Sequence, residues 1–143
     1  VKVVATRSIP QGIAAILSFN PEQGLDSNVS AMEDAQASVR TGEVTGAVRS
    51  VTLDGVEVEE GCLLGLLERE LVVAGDDLSE VVTSILSKAK VSDGDLVTLY
   101  WGDKLTVDDA KVVSKRMAAA FPGVEIELVD GGQPHYHLIM SIE

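Results

Sequence analysis

Two histidines, His135 and His137, stand two residues apart near the end of the sequence. In a strand that spacing puts both on one face, and two imidazoles hold a metal only with a third ligand. Asp130 and Glu143 are the nearest carboxylates, but no spacing ties either to the pair, so two sheet-surface histidines are the simpler reading. Thr6, Arg7 and Ser8 precede a helix start that also contains Gln11 and Gly12. Free N–H groups at a helix N-terminus bind anions, and a capping segment with a solvated Arg fits the same residues equally well. Asp130, Gly131, Gly132, Gln133 and Pro134 form the most unusual segment. Paired glycines let a backbone approach a ligand or partner closely, or simply turn the chain between strands.

The remaining chemistry-bearing residues are less organised. Glu57, Glu59, Glu60, Asp76, Asp77, Glu80, Asp93 and Asp95 do not take the spacing of a calcium loop. They read as a solvated acidic face suited to a basic partner. No phosphate-cradling glycine loop and no dinucleotide fingerprint occurs, and no serine sits in a nucleophile elbow. Cys62 is the single cysteine, so it makes no internal disulfide. Its apolar surroundings, residues 61–67, mark it as a buried structural thiol.

The elements that must position these groups follow from pattern. Residues 1–5 are rich in β-branched side chains and read as a buried strand. Ser8 with Gln11 has capping-box spacing, and Pro10 is tolerated in a first turn, so a mostly buried helix is expected to run to Phe19. Asn28 is the expected N-cap of a second helix reaching Val39. Residues 43–75 alternate or run apolar between Gly55, Gly61 and Gly75 and are expected to form an antiparallel meander, with Asp54-Gly55 as a tight hairpin turn. Asp77 or Ser79 opens a third helix and Thr106 a fourth, with strands expected at residues 96–101, 124–129 and 136–142. The expected class is α/β, with α+β character in the second part. Residues 1–40 would be the remnant of a parallel α/β lobe, and residues 41–143 a mixed, largely antiparallel sheet covered by two helices. The best boundary candidate is residues 21–27.

The 143 residues are 45% hydrophobic but only 3% aromatic, so Val, Leu, Ile and Ala must build the core. A formal net charge of −12 repels nucleic acid and disfavours anionic membrane surfaces. No apolar run approaches the ~20 residues of a membrane-spanning helix. The sequence opens on Val1 without an initiator Met and shows no leader peptide, so the chain is expected to be a fragment of a larger protein.

Several segments in order resemble one family. They are Val3-Val4-Ala5-Thr6-Arg7-Ser8-Ile9-Pro10-Gln11-Gly12-Ile13-Ala14-Ala15, Asn28 with Met32, and Thr41-Gly42-Glu43-Val44-Thr45 with Ala47-Val48-Arg49. Asp54-Gly55-Val56-Glu57-Val58 with Glu60-Gly61 follows, and Gly131-Gly132-Gln133-Pro134-His135-Tyr136 closes the series with Ser141-Ile142-Glu143. The chain is thereby similar to the C-terminal domain of the fatty acid kinase A-type subunit. That family is dihydroxyacetone-kinase-like and DegV-related. Ala5 stands where the family has Pro, Ser50 where it has Asp, and Glu68-Arg69-Glu70 where it has a glycine-containing turn.

The resemblance implies a bacterial, cytoplasmic kinase component in three parts. An N-terminal domain would bind ATP and magnesium, and the C-terminal part would dock a fatty-acid-binding DegV-type protein. For this chain it implies a non-catalytic docking module with no cofactor of its own and no metal. Its partners would be the acyl-carrying protein and the remaining domains of the same polypeptide, with room for a homodimer. Thr6, Arg7, Ser8, Gln11, Gly12, Arg49, Gly131, Gly132, Gln133 and Pro134 are the candidates for contacting partner or ligand. The alternative is a domain that holds a small anion or acyl chain between residues 8–12 and residues 131–134.

Overall fold

A computed structural model describes residues 1–53 and 55–143. Its centre is a six-stranded sheet in the order β5-β4-β1-β8-β6-β7. The strands are β1 (Arg40–Gly46), β4 (Leu63–Leu67), β5 (Glu70–Gly75), β6 (Leu96–Trp101), β7 (Glu125–Asp130) and β8 (Tyr136–Ile142). Only β6 and β7 run parallel, joined by a helical crossover, and the other neighbours are antiparallel. A separate two-stranded hairpin joins β2 (Val51–Leu53) to β3 (Val56–Val58). The expected meander is therefore interrupted: β1 passes to β4 through this hairpin, which stays outside the six-stranded sheet.

Alternation along the strands sorts the sheet into two faces. Val44, Val97, Leu99, Leu138, Met140 and Ile142 point to one side. There they meet Val81, Val82, Ile85 and Leu86 of α3 (Leu78–Lys88) and Val113 and Met117 of α4 (Val107–Ala120). Both helices start where the sequence places a cap. Asp77 Oδ1 accepts from the Glu80 N–H at 3.0 Å. Thr106 and Asp109 form a capping box, and the Thr106 bonds hold the Asp109 carboxyl below its ordinary pKa.

The opposite face carries α1 (Ile9–Leu17), α2 (Leu25–Ala37) and the β2–β3 hairpin. Here three expectations change. Residues 1–7 form no strand, and Val1 and Val3 stand exposed, because no neighbouring strand takes up their backbone groups. α1 is not mostly buried: only Pro10 and Ala15 are covered, while Ile9, Ile16, Leu17 and Phe19 are all more than half exposed. Asn28 is not an N-cap, because Gly24 holds that place. Asn28 is instead buried inside α2, with Nδ2 donating to the carbonyls of Asn20, Gln23 and Gly24 and Oδ1 accepting from the Asn20 N–H at 2.8 Å. One amide thus satisfies the backbone of the α1–α2 connection.

The β2–β3 and β4–β5 hairpin turns both use left-handed backbone. Glu68 (φ 50°) and Arg69 (φ 69°) make the β4–β5 turn without glycine, a costlier way to build the twist that two-residue hairpins require. Gly55 has φ 79° at the β2–β3 tip, while the Asp54 half of the expected turn lies outside the described residues. Gly55→Val should cost about 1 kcal/mol or more, since a β-branched residue tolerates that region poorly. The urea midpoint is the measurement, and an unchanged midpoint would count against the turn.

Candidate functional site

The N-terminus of α1 lies against β1. Arg7, Ser8, Gln11, Thr41, Glu68 and Arg69 line a niche of about 90 Å³ there. Several of its hydroxyl, amide and backbone groups are already engaged, while the Arg7 and Arg69 side chains make no hydrogen bond or ion pair among the described residues. Ser8 Oγ accepts from the Gln11 N–H at 3.3 Å and shares a 2.7 Å hydrogen bond with Thr41 Oγ1. Gln11 Oε1 accepts from the Arg7 N–H at 2.8 Å, so the side chain closes back one residue before the cap. Pro10 has no N–H to offer, and the Gly12 N–H is spent on Ser8 O at 3.0 Å. Glu68 places a carboxylate in the same niche, where it accepts from the Thr41 N–H. A helix start capped in this way keeps few backbone donors for an anion, and the niche combines the Glu68 carboxylate with the Arg7 and Arg69 guanidinium groups. Thr6 Oγ1 would lie 3.8 Å from a Cβ placed on Gly12.

Residues 131–134 are also folded shut. The N–H groups of Gly131 and Gly132 both donate to Trp101 O, at 2.9 and 3.2 Å. Gln133 turns inward, Nε2 donating to Tyr100 O at 2.8 Å, while its carbonyl accepts from the Asp103 N–H at 3.0 Å. A Cβ on Gly131 would collide with Gln133 Oε1. Gly131 therefore admits the protein's own glutamine, and the segment straps the end of β6 with Pro134 exposed.

The two segments do not meet. Thr41 pairs with Ser141, which pairs with Thr98. Trp101, the anchor of the glycine loop, lies three residues further along β6. Two strands across and three residues along is about 14 Å between Thr41 and Trp101. A ligand held jointly by residues 8–12 and 131–134 would have to span a separation of that order, more than a small anion can bridge. Arg49 lies apart from both, beyond the far end of β1, in the mouth of an apolar groove beside the β2–β3 hairpin.

One constellation escaped the sequence reading. Ile139 pairs with Glu43 on one side and Tyr100 on the other, and His137 stands two residues before it on the same face. Burial pushes the Glu43 carboxyl above its usual range, Arg69 opposing and Glu68 reinforcing the shift. Burial likewise raises Tyr100, helped by Glu143 and Glu127, and lowers His137, helped by Lys104. His137 Nδ1 is buried without a hydrogen-bond partner among the described residues. His135 precedes β8, and its carbonyl accepts from Thr45 Oγ1 at 3.1 Å. Among the described residues no three His, Cys, Asp or Glu side chains converge as a metal site requires. Alternation alone could have put Thr41, Glu43 and Thr45 on one face, but not said how far that face is covered.

The sign of the Glu43 effect is fixed. Its folded-state pKa is raised, so folding favours the protonated acid, and that contribution is present below the unfolded value and lost as pH rises through the folded one. Glu43→Gln keeps the neutral shape. It should raise the unfolding temperature at pH 7, with the gain vanishing near pH 4. Equal gains at both pH values would contradict the assignment.

The surface itself is distinctive at α1. From Ser8 to Pro21 no residue is charged, and Ile9, Ile16, Leu17, Phe19 and Leu25 are each more than half exposed. Comparison with known proteins gives this surface a context. The FakA-like C-terminal family model, which describes the C-terminal region of the A-type subunit of fatty acid kinases and its relatives, matches residues 1–143. The chain belongs to that family. An uncharacterized protein of Staphylococcus haemolyticus is 37% identical over 141 residues, 99% of this chain and 26% of that protein. One from Staphylococcus saprophyticus is 37% identical over 144 residues, with the same coverage. The chain thus spans about a quarter of the length of the curated relatives it matches. In fold, this family member is similar to the Streptococcus pneumoniae fatty acid kinase B3 protein, solved with linoleic acid. The TM-score is 0.53 at 14% identity, over 85% of this chain and 50% of that one. That likeness supports the mixed α/β architecture and nothing about ligands.

Proposed function

We propose that this chain is a non-catalytic module of a fatty acid kinase A-type subunit, docking an acyl-carrying DegV-type protein so that a separate ATP-binding domain can phosphorylate the fatty acid. The observation that carries the reading is the family match over all 143 residues. ATP and magnesium then belong to parts of the parent polypeptide that this chain does not match, and the working compartment is the cytoplasm. The geometry supports a docking role over a small-molecule one. In both segments that could have cradled a ligand, side chains of the protein itself take up backbone groups, whereas large apolar residues stand exposed on α1 and α2. We assign that uncharged ridge to contact with the remaining length of the longer parent protein.

The test uses the chain and its purified, acyl-loaded DegV-type partner from the same organism. Calorimetry should show a saturable complex, and the chain alone should show no magnesium-dependent ATP turnover. Turnover by a pure preparation, abolished by a point mutation in this chain, would overturn the reading, as would absence of a complex at 100 μM, about the limit of a weak encounter.

A further inference from the structure

The β2–β3 hairpin sorts its residues by chemistry. Its register, Val51 with Val58, Thr52 with Glu57 and Leu53 with Val56, puts four apolar side chains on one face and Thr52 and Glu57 on the other. Val51, Val56 and Val58 close over Ala47, Cys62 and Leu64. Leu53 reaches past this cluster and stays 42% exposed, and Val48, between β1 and β2, is 88% exposed. An open groove of about 200 Å³ lies among Ala47, Val48, Val51, Leu53, Leu64 and Arg49. Arg49 is the one charged side chain among its described lining residues. Glu57, Glu59 and Asp76 border neighbouring clefts instead.

Size and charge select the occupant. Small-molecule sites run to about 300–1,000 Å³, so this groove is too small for a long acyl chain but takes one large side chain. An apolar pocket beside an Arg is the composition of an interface anchor. The chain's net charge of −12 favours approach by a basic surface, whereas Arg49 calls for a carboxylate locally.

We infer that this groove is the anchor point for the chain's protein partner, which inserts one large apolar side chain, sets a carboxylate against Arg49, and is basic around them. The inference rests on the docking reading above and names its surface. It places the partner beyond the Gly46 end of β1, whereas Ser8 and α1 join the same strand at Thr41.

The experiment titrates the acyl-loaded DegV-type protein into the chain and into Arg49→Glu, Val48→Asp and, on the α1 ridge, Leu17→Asp. Val48, Arg49 and Leu17 are all exposed, and circular dichroism with a thermal melt checks each fold. The expected result is at least a tenfold loss of affinity for Arg49→Glu and Val48→Asp, with Leu17→Asp within twofold of the parent. Raising the salt concentration should slow association with the parent chain. If the parent binds but the two groove variants stay within twofold, the groove assignment falls and the docking reading survives. If the parent does not bind, both fall. A fluorescent fatty acid titrated into the chain alone separates the remaining case: binding that Val48→Asp abolishes would make the groove a lipid site and overturn the proposal.

Discussion

Gly102→Ala should be among the most damaging single-methyl additions in this protein, lowering stability by about 3 kcal/mol, the upper end for overpacking. Gly102 is buried where β6 ends, its N–H donating to His137 O at 2.9 Å. A Cβ there would lie inside the contact distance of two carbonyl oxygens, those of Tyr136 and Gln133. Both oxygens belong to backbone, so no rotamer change can make room. The carbonyl of Gln133 must move, and with it the bond it accepts from the Asp103 N–H and the strap across Tyr100. Gly132→Ala is the control. Gly132 has φ 62° but nothing within 4 Å of an added Cβ, so only the backbone preference is lost, about 1 kcal/mol. Urea unfolding of both variants decides the matter. Equal losses would mean that residues 131–134 are not packed against β6 as described.

Much of the architecture was legible because it is written in local chemistry. Thr106 with Asp109 and Asp77 before Leu78 are caps that any context would use. The alternation of Leu96 to Trp101 and Tyr136 to Ile142 survives in the sheet because one face of each strand meets α3 and α4. The failures have a common cause, which is that burial depends on distant parts of the chain. Ile13, Ile16 and Phe19 carry the same helical spacing whether or not anything covers α1. Residues 1–5 have strand propensity, yet a strand needs a neighbour's hydrogen bonds. Asn28 has the right side chain for a cap, and only the tertiary path of residues 20–24 gives its amide three carbonyls instead.

The candidate site divides in the same way. The motifs at Ser8, Gln11 and Gly131 to Gln133 were visible as unusual residue types, but the partners that bond them, Thr41, Tyr100 and Trp101, lie on strands distant in sequence, Thr41 and Tyr100 each 33 positions away. Polar residues in such segments look alike in sequence whether they await a ligand or bind their own backbone. The Glu43, Tyr100 and His137 constellation was invisible for a further reason: it needs the register of three strands drawn from both ends of the chain.

The last expectation concerns how α3 comes so close to the sheet. Ile85 is fully buried and lies over Gly42 of β1 and Gly65 of β4. A Cβ on Gly42 would approach Met140 Cε to 2.8 Å and Ile85 Cγ2 to 3.0 Å. The two glycines thus leave a shallow seat that one branched side chain fills. Ile85→Ala should cost about 3–4 kcal/mol, the lost transfer energy plus an unfilled cavity. Gly42→Ala alone should cost about 1–2 kcal/mol, because Met140 can swing its terminal methyl aside while the Ile85 branch cannot. Truncating Ile85 removes that branch, so Gly42→Ala made in the Ile85→Ala background meets only the movable Met140 methyl and partly refills the space left. The double variant should therefore be more stable than the sum of the single losses implies, by about 1–2 kcal/mol of coupling. Denaturant unfolding of the four proteins closes the cycle, and strict additivity would show that Gly42 and Ile85 do not share that seat.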